Sequence, residues 1–163
     1  MKLTIQDLQS HGMPQNVVAQ LEGLTKLNVS AVTRQSGLKV GVWSLRATST
    51  SGRKMVAMAI SCAELTHAHL GAPIPPVLAE MASWVQRPNA ELKSSIDQRT
   101  RVLIETGSKD DWLRFTLLAT AEMIDRHSAR TLCAKWLYQI FAAAVHVGVS
   151  ETALTKILLK NNS

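Results

Sequence analysis

"SARTLCAKWLYQIFAAAVHVG", Ser128 to Gly148, is the stretch that decides the fold. At helical spacing Leu132, Trp136, Ile140 and Ala144 follow one flank, and Cys133, Leu137, Phe141 and Val145 follow the next. Thr131, Lys135, Gln139 and His146 mark a narrow polar strip between them. A helix with so little polar surface must be surrounded by other helices. Gly148 closes it, and Ser150 opens a short amphipathic tail, "ETALTKILLKNNS".

Working back toward the N-terminus, the same signals recur. "KDDWLRFTLLATAEMIDRH" is apolar around much of its girth, with Gly107 before it and Ser108 and Asp111 in capping-box positions. "AELKSSIDQRTRVLIETG" turns Leu92, Ile96 and Leu103 inward, pairs Asp97 with Arg101 at i,i+4, and takes Pro88 in its first turn. Val77, Met81 and Trp84 line a helix from Pro76, after the stiff connector "GAPIPP". "GRKMVAMAISCAELTHAHLG" puts Met55, Ala59, Cys62 and Thr66 on one flank. "MPQNVVAQLEG" adds a helix with Pro14 at its start and Gly23 as its stop. Helix starts fall near 76, 88, 108, 128 and 150 with short connections, the pattern of an antiparallel bundle. Residue identities do not recur at that spacing, so a solenoid is not supported.

The expectation is an all-α, single-domain antiparallel helical bundle of about six to eight helices spanning 1–163. A hydroxyl-rich stretch, 47–52, reads as a flexible connector between a basic N-terminal part and the main bundle. Residues 38–47, "LKVGVWSLRA", fit either a strand or a helix using Leu38, Val42 and Leu45. A helix is expected, because a lone strand has no visible partner.

Composition bounds the function. Apolar residues make up 46% and charged residues 18%, a globular balance. "MKLTIQDLQSHG" turns polar after three residues, and the apolar run "WLYQIFAAAVHVGV" is interrupted by Gln139 and His146. No signal peptide, membrane span or membrane partner is therefore expected. Cys62 and Cys133 lie within apolar helical patterns and read as buried reduced thiols, which fits a cytoplasmic protein.

The net charge of +6 is unevenly placed. Residues 1–60 carry seven basic and two acidic side chains; residues 61–163 carry eleven and ten. No acid lies between Glu22 and Glu64. Arg34, Lys39, Arg46, Arg53 and Lys54 are thus candidates for binding a polyanion or an acidic partner. Trp43, with basic and hydroxylic neighbours, reads as a stacking platform or as a buried anchor beside snorkelling Lys39 and Arg46 stems. Trp84, Trp112 and Trp136 occupy apolar helical positions and are expected in the core.

Catalytic constellations do not emerge. Glu64-x-x-His67, with His69 beyond, is a single motif where carboxylate-bridged di-metal bundles need two. Both histidines are expected to be solvated at a helix C-terminus, where the dipole favours them. There is no Gly-x-Ser-x-Gly elbow and no P-loop, and "TSTSGRKM" offers at most a generic phosphate position at a helix start. No metal, cofactor or enzymatic activity is expected. The reading is a helical protein–protein interaction module: an adaptor, a chaperone-like protein or an assembly component. Its partner is another protein, one with an acidic surface included, or a second copy of the chain. Trp43, Leu154, Ile157 and Leu158 are the candidate contact residues. The alternative is nucleic-acid binding through the basic N-terminal third.

Overall fold

A computed structural model describes residues 3–106 and 111–162. Among them the chain forms ten α-helices, one 3-10 turn and no strand, so the fold is all-α. The helices are α1 Ile5–Ser10, α2 Gln15–Leu21, α3 Val29–Ser36, α4 Leu38–Ser44, α5 Gly52–His69, α6 Pro76–Gln86, α7 Ala90–Thr106, α8 Trp112–Asp125, α9 Arg130–His146 and α10 Glu151–Lys160. The 3-10 turn, Leu45–Ala47, extends α4. The expected six to eight helices are too few. The surplus is α1 and α3, of six and eight residues, too short to announce themselves by periodicity.

Residues 38–47 are helical, with Leu38, Val42 and Leu45 buried together as helical spacing requires. Asn89 caps α7 through its side-chain oxygen to Leu92 N at 2.8 Å, so Pro88 lies before the cap and not in the first turn. Asp111 caps α8, accepting from Leu113 N at 3.0 Å and Arg114 N at 3.2 Å. That helix therefore begins at Trp112, and the expected stop at Gly107 and cap at Ser108 lie outside the described residues.

Two long helices form the centre. α5 packs on α6, α8 and α9, while α9 packs also on α4. Their relative direction follows from two contacts. Arg130 Nη1 at the start of α9 donates to the Thr48 carbonyl, 3.1 Å away and just before α5. At the other end Gly148 lies against His69. The two helices are thus parallel, and beside them α6, α7 and α8 alternate in direction, α6 and α8 running opposite to α5. Lys93 of α7 pairs with Asp125 at the far end of α8, and Arg99 with Glu80 of α6 at 2.6 Å. Asp97 and Arg101 are not among the ion pairs formed within the described residues.

The main core joins Met55, Met58, Cys62, Leu78, Met81, Ile96, Met123, Leu137 and Ile140, all fully buried. A second apolar cluster gathers Leu3, Leu8, Met13, Val18, Leu21 and Val32 around α1, α2 and α3. Two glycines set the closest approaches. A Cβ on Gly41 would lie 2.0 Å from Thr33 Oγ1, so α3 and α4 meet at this position. A Cβ on Gly52 would lie 1.8 Å from the His127 carbonyl oxygen, so the start of α5 abuts the end of α8.

The tail helix α10 lies on α3, α4 and α5. Leu154 and Leu158 are fully buried in the main core and Ile157 packs half-buried beside it. The first two are consumed by the chain's own packing and present nothing to a partner. Residues 47–52 are not a free hinge either. Thr48 Oγ1 donates to the Leu45 carbonyl at 2.9 Å, Thr50 Oγ1 bonds Asn162 Oδ1 at 2.9 Å, and Ala47 and Gly52 are buried. The hydroxyls that suggested flexibility are the groups that tie the segment down.

Candidate functional site: a basic face between α4 and α9

The five basic residues singled out by charge do not share one surface. Arg34 borders a groove between α3, α4 and α10 that also holds Glu151 and Lys156. Arg53 turns its guanidinium to the carbonyls of Val85 and Gln86, satisfying the end of α6. Lys54 borders a cleft of hydroxyls with Asn28 and Asn162. The cap of α5 comes from Ser51, which accepts from Lys54 N at 3.3 Å. Lys39 and Arg46 remain, and both sit on the α4 segment at helical spacing either side of Trp43.

That side of α4 packs on α9, and α9 adds basic residues of its own. Arg46, Arg130 and Lys135 line a concavity of about 450 Å³ together with Ala129, Thr131 and Leu132. Among the described residues no carboxylate lines it. There is none between Glu22 and Glu64 or between Asp125 and Glu151, the two spans that build this face. Beside it a smaller pocket of about 170 Å³ is lined by Met13, Pro14, Val17, Lys39, Val40, Trp43 and Tyr138. Trp43 lines the small pocket and Arg46 the larger one, and the two side chains meet, with the Arg46 guanidinium carbon 5.2 Å from the centre of the Trp43 ring.

Each basic group is held differently. Arg46 stacks on Trp43, and its Nε is shielded from solvent with no acceptor among the described residues. Arg130 is anchored through Nη1 to the Thr48 carbonyl. Lys135 is exposed, one turn along α9 from Thr131. Ala129, in the cap position before α9, offers no side-chain cap, so the first N–H groups of the helix lack that partner at this end of the pocket. Two held guanidinium groups, the Lys135 ammonium, a helix N-terminus and a lining without carboxylates among the described residues together give a positive potential.

The remaining candidates resolve otherwise. His67, expected in solvent, is buried at 5% exposure. The chain reverses at Gly71 (φ 65°), Ala72 N bonds back to the His67 carbonyl at 2.9 Å, and the Pro73 carbonyl meets His67 Nδ1 at 3.0 Å. The connector thus folds over the ring, and burial lowers its pKa below the ordinary value, against smaller upward effects of Pro73 and Asp111. Glu64 is half-buried and His69 exposed; among the described residues no three His, Cys, Asp or Glu groups could hold a metal ion.

Cys62 and Cys133 are free, fully buried thiols, as expected. Trp84 is in the core, but Trp112 is 42% exposed, resting on His146 with ring centres 4.8 Å apart. A larger groove of about 490 Å³ between α7, α8 and α9 sets Asp97, Glu122 and Asp125 against Arg101, the opposite balance of charge. No described helix is long and apolar enough to cross a membrane.

Sequence reasoning missed Arg130, Lys135 and Tyr138. They lie in the half of the chain where basic and acidic residues nearly balance. Their signal was the polar strip of α9, together with the absence of acids from Arg126 to Ser150. No protein-family model, curated protein or solved structure matches this chain.

Proposed function

We propose that this chain is a non-enzymatic helical interaction module, of the adaptor, chaperone-like or assembly kind, that docks an acidic surface of another protein on the α4–α9 face. The observation that carries the reading is a pair of pockets joined by the Arg46–Trp43 contact, one lined by Arg46, Arg130 and Lys135 and the other by Lys39, Trp43 and Tyr138, with no acid from either helix. Trp, Tyr and Arg are the residue types that dominate protein–protein binding energies when they line a pocket. The charge would steer an acidic partner and fix its register.

The nucleic-acid alternative draws on the same cations but fits less well. Tight phosphate-backbone binding uses about 6–10 neutralising contacts. Here the basic residues of the N-terminal third point into four separate settings. One half-buried tryptophan, already covered by Arg46, makes no stacking track.

The test is in-cell cross-linking from position Gln139, on α9 beside the face, in the native chain and in a variant carrying Lys39→Gln, Arg46→Gln, Arg130→Gln and Lys135→Gln. The native chain should trap an acidic protein and the variant should lose it. Equal trapping by both, or trapping of nucleic acid alone, overturns the reading.

A further inference from the structure

We infer that the α4–α9 face reads a two-part signal on one partner segment: an apolar side chain seated in the pocket that Trp43 lines and an oxyanion in the neighbouring pocket that Arg46 lines. The inference rests on the interaction-module reading and adds the chemistry of what is recognised.

The small pocket takes the apolar part. Met13, Pro14, Val17, Val40, Trp43 and Tyr138 give it mostly hydrocarbon walls, and Lys39 contributes a stem with its charge at the rim. Its volume of about 170 Å³ suits one side chain; an apolar cavity of roughly 150 Å³ holds a benzene ring. The large pocket takes the anion. Arg46 and Arg130 present planar guanidinium groups suited to a carboxylate or phosphate, and Lys135 adds a mobile point charge. Arg46 is set by the Trp43 ring and Arg130 by the Thr48 carbonyl, so little ordering remains to be done on binding. The first turn of α9, which has no side-chain cap, forms part of the wall.

The two pockets are adjacent because Trp43 and Arg46 are three residues apart on one face, a rise of about 4.5 Å. An extended segment advances about 3.3 Å per residue. Successive side chains of such a segment point to opposite faces, so the nearest two that can both face the protein belong to residues two positions apart. The partner is an acidic peptide segment with an apolar anchor, and its anion is a carboxylate or a phosphate ester.

The experiment is fluorescence anisotropy of labelled nonapeptides with the full chain. The parent carries one Leu with a Glu two positions on. Its derivatives replace Glu by phosphoserine, Glu by Gln, or Leu by Ala, and a single-stranded DNA of equal charge completes the set. The parent and phosphoserine peptides should bind, the tighter of the two identifying the anion's source. Leu→Ala and Glu→Gln should each weaken binding about tenfold. Lys135→Gln and Arg130→Gln in the protein should weaken both acidic peptides and leave the Gln peptide unchanged. Lys135 is exposed, so its variant tests binding without threatening the fold.

If Leu→Ala binds as tightly as the parent while Lys135→Gln still weakens it, the two-part signal is wrong and the acidic-partner reading stands. If no peptide depends on Lys135 or Arg130, both are wrong. Tighter binding of the DNA than of any peptide overturns both in favour of nucleic acid.

Discussion

The guanidinium of Arg46 lies over the ring of Trp43, 5.2 Å from its centre, three residues along the same helical face. A contact of this kind at a partly exposed site contributes about 0.5–1 kcal/mol. A double-mutant cycle of Trp43→Leu and Arg46→Met, read by urea unfolding, should return a coupling of about that size. Strict additivity would show that the ring does not hold the guanidinium.

Gly52 and Gly23 should respond oppositely to alanine. A Cβ at 52 would meet the His127 carbonyl oxygen at 1.8 Å, and backbone cannot step aside as a flexible side chain does. Gly52→Ala should cost about 3 kcal/mol or more in thermal or urea unfolding. A Cβ on Gly23 would meet nothing within 4 Å among the described residues, and its φ is not positive. Gly23→Ala should be neutral or stabilising by up to about 1 kcal/mol.

Leu154 and Leu158 act as core residues. Each is fully buried, so each alanine substitution should destabilise the protein by about 2–5 kcal/mol. Lys156, exposed between them, should tolerate alanine within about 0.5 kcal/mol. Removal of 150–163 should abolish cooperative unfolding measured by circular dichroism. Retention of native cooperativity by that truncation would contradict the packing of α10.

The two thiols should be inert. Burial pushes Cys62 up to about 12 and Cys133 up to about 11, and the thiolate is the reactive form. At pH 8 iodoacetamide should label neither in the folded protein, and both in urea, as read by mass spectrometry. Rapid labelling of native protein at either position would show that the core opens there.

Stability should fall in mildly acidic solution through His67. Its folded pKa lies below the unfolded value near 6.5 because the ring is buried. The unfolded chain therefore takes up the proton first, and the stabilisation is complete above 6.5. It is lost as pH falls from there through the folded value. His67→Gln should flatten this part of the urea-midpoint profile against pH, and an unchanged slope would assign the effect to other groups.

Much of the architecture was legible because helical periodicity is a local property. The strip of Thr131, Lys135 and His146 against the flanks of Leu132 and Cys133 announced α9 and its burial. Over 38–47 the spacing of Leu38, Val42 and Leu45 fitted a helix no better than a strand, and the lack of a partner strand favoured the helix that forms. Short elements such as α1, with one buried residue, Leu8, carry too few apolar positions to be counted in advance. His67 was misplaced because its burial comes from residues beyond its own helix, where the chain turns back at Gly71.

The candidate site was legible only in part. Lys39, Trp43 and Arg46 were found from local charge, whereas Arg34, Arg53 and Lys54 were grouped with them by proximity along the chain alone. Burial of Leu154 and Leu158 could not be told from a tail that binds elsewhere, since an amphipathic helix has the same pattern in either place.

By itself, then, the sequence determined an all-α chain, its long helices, its buried thiols and an acid-free basic excess. Those follow from residue type and spacing along a few turns of helix. Only the tertiary structure decided that Arg46 meets Arg130 and Lys135, about 85 positions away along the chain, while Arg53 turns to α6. Side chains distant in sequence become neighbours through the packing of α4 against α9, and no local pattern encodes which faces of two helices will meet.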